Sequence, residues 1–178
     1  MKKLLIVVDM QNDFIDGALG TGEARSIVPR VIEKIKGWDG DIICTLDTHD
    51  ENYMNTREGS ILPVSHCVDG TEGHGLNEKV KQALFEKAAE RKSSINTLRK
   101  RTFGSTALPE LIRGENIDHV ELIGLCTDIC VVSNAMLIKA NYPELSIAVD
   151  ASCCAGVTPE THEAALTTMT MCQIEVKQ

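Results

Sequence analysis

Four short runs of almost unbroken apolar residues constrain this chain more than any other feature. They are Lys3–Val8, Asp41–Leu46, His119–Leu125 and Leu145–Val149. Residues apolar at successive rather than alternate positions mark strands covered on both faces. Between these runs the apolar residues return at helical spacing. Ile27–Ile35 reads as a helix with Ser26 as its N-cap and Gly37 as its stop. Leu76–Ala89 puts Val80, Leu84 and Ala88 on one face, and Thr106–Arg113 is closed by Gly114. Asp128–Ala140 is a further helix, and Thr158-Pro159-Glu160 opens another, running to about Met169, with proline at its first turn. Ile95–Leu98 is a weak strand ending at Arg99-Lys100-Arg101, and Gln173–Val176 a last short one. Strands alternating with helices predict an α/β fold with a parallel, doubly wound sheet and helices on both faces.

The chain has 178 residues, enough for one domain over 1–178 with a sizeable core. No repeat or low-complexity segment divides it. A formal charge of −8 argues against a nucleic-acid or anionic-membrane partner. No apolar run approaches the roughly 20 residues of a membrane span. Met1–Val8 has a basic start, but Asp9 ends its apolar run early, and no small-residue cleavage site follows. The seven cysteines are odd in number and several lie inside apolar runs, as expected of a reduced, cytoplasmic protein. Packing as a small hydrophobe is the default for most of them, including the pair Cys153-Cys154. The glycines at 17, 20 and 22 do not form a dinucleotide-binding turn.

Cys130 is different. It follows the strand His119–Leu125, in the first turn of the next helix, where unpaired N–H groups favour a thiolate. Ligands of open α/β sheets bind outside the carboxyl ends of strands. Asp9, after the first strand, and Lys100, after the weak third, share that address. A thiolate to attack a carbonyl carbon, a carboxylate to carry its proton and an ammonium to stabilise charge form a coherent set. Each also has a plainer reading: Asp9 as a turn residue, Lys100 as part of a basic surface run, Cys130 as packing. A second cluster joins Asp47-Thr48-His49 to Ser65-His66-Cys67. Residues i and i+2 at a strand end face one side, so Asp47 and His49, with His66, offer one carboxylate and two imidazoles to a metal. Cys67 is a possible soft ligand, but Val68 beside it suggests packing. His74, His119 and His162 lack evident partners and read as surface or capping residues. The polar stretch Asp47–Gly75 is a long loop, either functional or disordered.

With these residues in hand, the chain resembles the isochorismatase-like cysteine hydrolase superfamily, and within it the nicotinamidases most closely. The segments that carry the resemblance are Val8–Phe14, Asp47–His49, His66–Gly73, Lys100–Phe103, Gly124–Val131, Asp150-Ala151 and His162–Leu166. They occur in order along nearly the whole chain. The resemblance implies a three-layer α/β/α fold around a six-stranded parallel sheet, with Asp9, Lys100 and Cys130 as catalytic triad. It implies a cis peptide before Cys126, and the Cys126 and Cys130 N–H groups as an oxyanion hole. It implies Phe14 and Leu125 as substrate contacts, and a divalent metal on Asp47, His49 and His66. Zinc is the expected ion, with manganese or iron also suited to that donor set. It implies a homo-oligomer, dimer or tetramer, acting on a small-molecule amide.

The implied reaction is hydrolysis of nicotinamide to nicotinate and ammonia through a thioester on Cys130. The rival is the same chemistry on another small amide, such as a carbamoyl or ureido compound. A scaffold role or a vinyl-ether hydrolase is disfavoured, because the family members concerned lack the cysteine. Three positions depart from the nicotinamidase pattern. Thr48 replaces a tryptophan, Pro63 replaces an aromatic residue, and Cys126 stands where alanine is common. The first two are expected to remove aromatic surface from the region that holds the ring.

Overall fold

Leu4, Ile6 and Val8 face one side of the first strand, Leu5 and Val7 the other, and all five are buried. That two-sided burial is why the run is apolar at every position. The computed structural model describes all residues from Met1 to Gln178. In chain order its elements are β1 (Lys3–Val8), α1 (Asn12–Ile15), α2 (Gly22–Gly37), β2 (Asp41–Asp47), α3 (Arg57–Ile61), α4 (Glu78–Arg91), β3 (Asn96–Lys100), α5 (Ala107–Ile112), β4 (His119–Leu125), α6 (Val132–Asn141), β5 (Ser146–Ala155), α7 (Pro159–Met171) and β6 (Glu175–Lys177). Two tight turns complete them: a 3-10 turn at Tyr53–Asn55 and a π-helical turn at Thr127–Val131.

The six strands pair in the order β3-β2-β1-β4-β5-β6, all parallel. Helices α2 and α4 cover one face through Ile27, Val31, Ile35, Val80 and Leu84. Helices α5, α6 and α7 cover the other through Leu108, Ile112, Ala135, Ile138, Leu166 and Met169. This is the expected α/β/α sandwich. Truncating a buried core residue such as Leu5 to alanine costs about 2–5 kcal/mol in such an interior. The connections leave β1 in opposite directions, so β1 and β4 diverge at the switch point where doubly wound sheets bind ligands.

Several local expectations change. Ser26 caps nothing: α2 begins at Gly22, with Thr21 Oγ1 accepting from the Ala24 N–H, and Ser26 donates to Glu23 O within the helix. Lys100 is the last residue of β3, paired in register with Asp47, rather than lying beyond the strand. β5 runs on to Ala155, past the polar residues Asp150 and Ser152, which hide its second half from hydropathy. Asp47–Gly75 is not an unstructured loop. It carries the 3-10 turn, α3 and a short parallel bridge between His49 and Val68.

The three spare histidines are not surface residues without partners. His74 and His119 are buried. His74 Nε2 lies 3.0 Å from Thr48 Oγ1, His119 Nδ1 lies 2.9 Å from Ser146 Oγ, and His162 Nδ1 lies 2.8 Å from Thr127 Oγ1.

Candidate active site

β1, β3 and β4 each deliver one residue to the same carboxyl-side crevice. Lys100 Nζ sits 2.7 Å from Asp9 Oδ2, 3.4 Å from Cys130 Sγ and 3.2 Å from Asp47 Oδ1. Asp9, Lys100 and Cys130 are therefore brought together, all buried. Asp9 takes a left-handed backbone, φ 47°, as it leaves β1. Aspartate tolerates that region better than most residues. Thr45 Oγ1 donates to Asp9 Oδ1 at 2.6 Å. Asp9 Oδ2, by contrast, is ion-paired with Lys100 but accepts no well-directed hydrogen bond. One carboxylate oxygen is thus anchored and the other keeps acceptor capacity beside the thiol.

A helix N-terminus by itself lowers a thiol, but here the direction is upward. Burial pushes the Cys130 thiol well above its ordinary value, and the Asp9 charge adds to this, while Lys100 opposes both. Burial also raises the Asp9 carboxyl, against the pull of Lys100. Lys100 itself is held cationic: burial acts to lower it, and the charges of Asp9, Cys130 and Asp47 outweigh that. A thiol that keeps its proton, next to a carboxylate with spare acceptor capacity and a fixed ammonium, suits a general base that later acts as an acid.

Cys130 opens on a cavity of about 230 Å³, whose walls include Phe14, Leu62, Phe103, Leu125, Cys126 and Val157. Phe14 and Leu125 thus lie where the resemblance expected substrate contacts. Neither Thr48 nor Pro63 reaches the cavity wall. Thr48 Oγ1 instead donates to Leu46 O at 3.0 Å and meets His74. These two positions thus add no aromatic surface to the cavity, as expected, and Phe14, Phe103 and Leu62 form its apolar wall.

The Leu125–Cys126 peptide is cis. The Cys126 N–H has no acceptor within the protein, whereas the Cys126 carbonyl accepts from Ile129 and Val131. An unpaired donor beside the cavity is the type of group that stabilises a developing oxyanion.

On the far side of Lys100, Asp47, His49 and His66 converge as their spacing suggested, and Glu58 joins them. His49 Nε2 is 2.9 Å from Asp47 Oδ2 and 3.6 Å from Glu58 Oε1. His66 Nε2 is 3.5 Å and 3.9 Å from the same two oxygens. Ligands about 2.0–2.2 Å from a tetrahedral zinc lie roughly 3.3–3.6 Å apart, so the donor set fits a divalent ion by size and chemistry. His66 Nδ1 lies 2.8 Å from Val64 O, which fixes Nε2 as the ligating nitrogen. Burial acts to raise the Asp47 carboxyl, but hydrogen bonds from His49 and His66 and the Lys100 charge hold it well below the usual carboxylate range. His66 moves up, because Asp47 outweighs its burial. Both directions describe a pocket that favours positive charge.

Several residues to which the sequence reading gave no role support this layout. Gln11 Nε2 donates to Asp47 O at 2.8 Å and His74 O at 2.9 Å, while its Oε1 accepts from the Asp47 N–H. Asp13 Oδ2 accepts from the Cys67 N–H at 2.8 Å. Cys67 is fully buried and outside the ligand set, so packing is its place. Asn134 Nδ2 donates to Cys130 O at 2.8 Å, and its Oδ1 accepts from the Ser105 N–H, tying α6 to the loop that carries Phe103. Glu58 offered only a faint signal, the second position after the Thr56 N-cap. The remaining cysteines are free, and burial pushes the thiols of Cys44 and Cys153 up to about 12 and about 11.

Comparison with known proteins agrees with this geometry. The nicotinamidase/pyrazinamidase of Mycobacterium tuberculosis is 28% identical over 184 residues, covering 98% of this chain and 97% of its own. A crystal structure of nicotinamidase/pyrazinamidase PncA from Bacillus subtilis superposes over the full length of both chains, with TM-score 0.85 and 29% identity. The pyrazinamidase of Pyrococcus horikoshii in complex with zinc gives TM-score 0.78 at 28% identity, covering 100% of this chain and 99% of that one. The isochorismatase-domain family model matches residues 3–177, and the chain belongs to the isochorismatase family.

Proposed function

We propose that this protein is a metal-dependent cysteine amidohydrolase that converts nicotinamide to nicotinate and ammonia. The observation that carries the reading is the meeting of Cys130, Asp9 and Lys100 at the base of an apolar cavity beside the unpaired Cys126 N–H. Asp9 Oδ2 takes the thiol proton as sulfur attacks the carboxamide carbon. The Cys126 N–H, with that of Cys130, holds the oxyanion. Protonated Asp9 gives its proton to the departing ammonia, leaving a thioester on Cys130. Asp9 then takes a proton from water, which attacks the thioester and releases the acid and the free thiol. Lys100 keeps the buried anions in balance throughout.

A divalent ion on Asp47, His49, Glu58 and His66 would supply a Lewis-acid anchor for a ring nitrogen. Relatives named nicotinamidase/pyrazinamidase, and one zinc complex among them, support this assignment. The rival carbamoyl or ureido substrates fit less well where they carry a carboxylate. The cavity wall has Asp47 and Glu58 but no arginine or lysine to receive one. The reading carries with it a homo-oligomeric state, which light scattering tests; a monomer at micromolar concentration would refute that part.

The deciding experiment is ammonia release from nicotinamide and from a panel of N-carbamoyl amino acids, before and after chelation. Cys130→Ala should abolish release while keeping the far-ultraviolet circular dichroism. Substantial turnover by that variant would sink the mechanism, and preference for the carbamoyl panel would sink the substrate.

A further inference from the structure

Tyr53 is 1% exposed, yet it belongs to neither hydrophobic core. A buried tyrosine outside both cores calls for a reason other than filling the sheet faces. Its neighbours supply one. Its ring packs edge-on against His49, with centroids 4.7 Å apart at 62°, and against His66, 4.9 Å apart at 75°. The two imidazoles in turn pack 4.8 Å apart at 71°. Each of the three rings thus packs edge-on against the other two, which opposes rotation of either imidazole. The phenol is fixed at its far end, where its hydroxyl donates to Leu62 O at 2.9 Å. Leu62 walls the substrate cavity. The next element, α3, carries Glu58 and packs on the backbone of the Tyr53 turn. Thr56 N–H donates to Tyr53 O, and Gly59 packs so closely there that a Cβ would collide with the Tyr53 carbonyl.

We propose that Tyr53 is a positioning residue. It holds His49 and His66 in ligating orientation and ties the metal centre to the cavity wall at Leu62. The inference rests on the metal reading above. Groups around metal ligands commonly set affinity by about 10–100-fold, and a ring that immobilises two ligands at once belongs to that class. The hydroxyl acts separately. It fixes the Leu62 carbonyl, so its loss should move substrate binding more than metal binding.

The test is zinc affinity, measured on the whole protein by competition with a chromophoric chelator, together with KM and kcat for nicotinamide. Tyr53→Leu removes the ring and should weaken zinc binding by about tenfold or more. Tyr53→Phe keeps the ring and should hold zinc affinity within about threefold, while raising KM several-fold at nearly unchanged kcat. Leu108→Ala is the control, a fully buried core truncation on the other side of the sheet. It should lower the melting temperature while leaving zinc affinity unchanged. If Tyr53→Leu fails to fold, Tyr53→Phe still decides. Wild-type KM in that variant, or wild-type zinc affinity in Tyr53→Leu, overturns the assignment. Wild-type protein that binds no zinc overturns the metal reading and this inference together, and so separates the two failures.

Discussion

Lys100 Nζ lies closer to Asp9 Oδ2, at 2.7 Å, than to the Cys130 sulfur, at 3.4 Å, and it reaches Asp47 as well. One ammonium is therefore the shared counter-charge of two buried carboxylates. Lys100→Met should strand Asp9 and leave Asp47 to its two histidines. Breaking a buried pair by removing one partner costs about 3–5 kcal/mol, and urea unfolding should show a loss of that order. Adding Asp9→Asn to the Lys100→Met variant removes one stranded charge and should recover part of the loss. Additive effects in the double mutant would refute the shared-counterion account.

Acid stability should depend on a second buried cluster, at the opposite end of the sheet. Lys34 Nζ lies 2.7 Å from Glu121 Oε1 and 2.5 Å from Asp150 Oδ2, and Lys177 Nζ lies 2.6 Å from Glu121 Oε2. Burial acts to raise Glu121 and Asp150, but hydrogen bonds from Lys177 and Lys34 on the first, and from Lys34 and Ser152 on the second, hold both below the usual range. A depressed carboxyl contributes stability above its unfolded pKa, about 3.9–4.3. That contribution is lost as pH falls through the folded value. Lys34 moves up and stays cationic throughout the acid range, so the loss follows the protonation of its two carboxylate partners. The urea midpoint should drop more steeply below about pH 4 in wild type than in Glu121→Gln; parallel slopes would contradict this.

Glu58 completes the donor set with a second carboxylate. Glu58→Gln should raise the dissociation constant for zinc by about tenfold or more, since even changes outside the ligand shell cost about 10–100-fold. Equilibrium dialysis with elemental analysis reads this directly. Unchanged stoichiometry and affinity would remove Glu58 from the ligand set.

Asp128 joins the nucleophile turn to the loop after β5. Its Oδ2 accepts from the Val157 N–H at 2.9 Å, and Gly156 and Val157 both wall the cavity. Hydrogen bonds to charged groups contribute about 1.5–3 kcal/mol. Asp128→Ala should free that wall and raise KM for nicotinamide about tenfold or more, with a smaller change in kcat. A kcat loss at constant KM would mean that Asp128 acts on the chemistry instead.

The fold was legible because buried strands declare themselves: Leu4 through Val8 need apolar neighbours on both faces. β5 was legible only to Val149. Beyond it, Asp150 and Ser152 satisfy their polar groups with Lys34 and with each other, a tertiary solution invisible to periodicity. The meeting of Asp9, Lys100 and Cys130 could be anticipated because parallel strands end on one edge. Glu58 could not, since α3 is one short turn in a polar segment. Tyr53 was equally silent, because it meets His49 and His66 only through the fold of a segment without periodicity. The thiol's upward shift escaped the helix-terminus argument because that argument ignores burial, here the larger effect.

The strand order β3-β2-β1-β4-β5-β6 has a consequence for the life of the molecule before it is complete. β1 is the central platform, laid down first in the chain, yet its neighbour β4 is made only after most of the chain. Asp9 thus waits near the amino terminus for a partner some hundred-odd residues later. Until β4 docks against β1, Cys130 is an ordinary exposed thiol with no base, no ammonium and no cavity beside it. A chain that ends before β4 lacks Cys130 and its cavity. The site therefore needs two separate long-range pairings, β3 on β2 for Lys100 and β4 on β1 for Cys130.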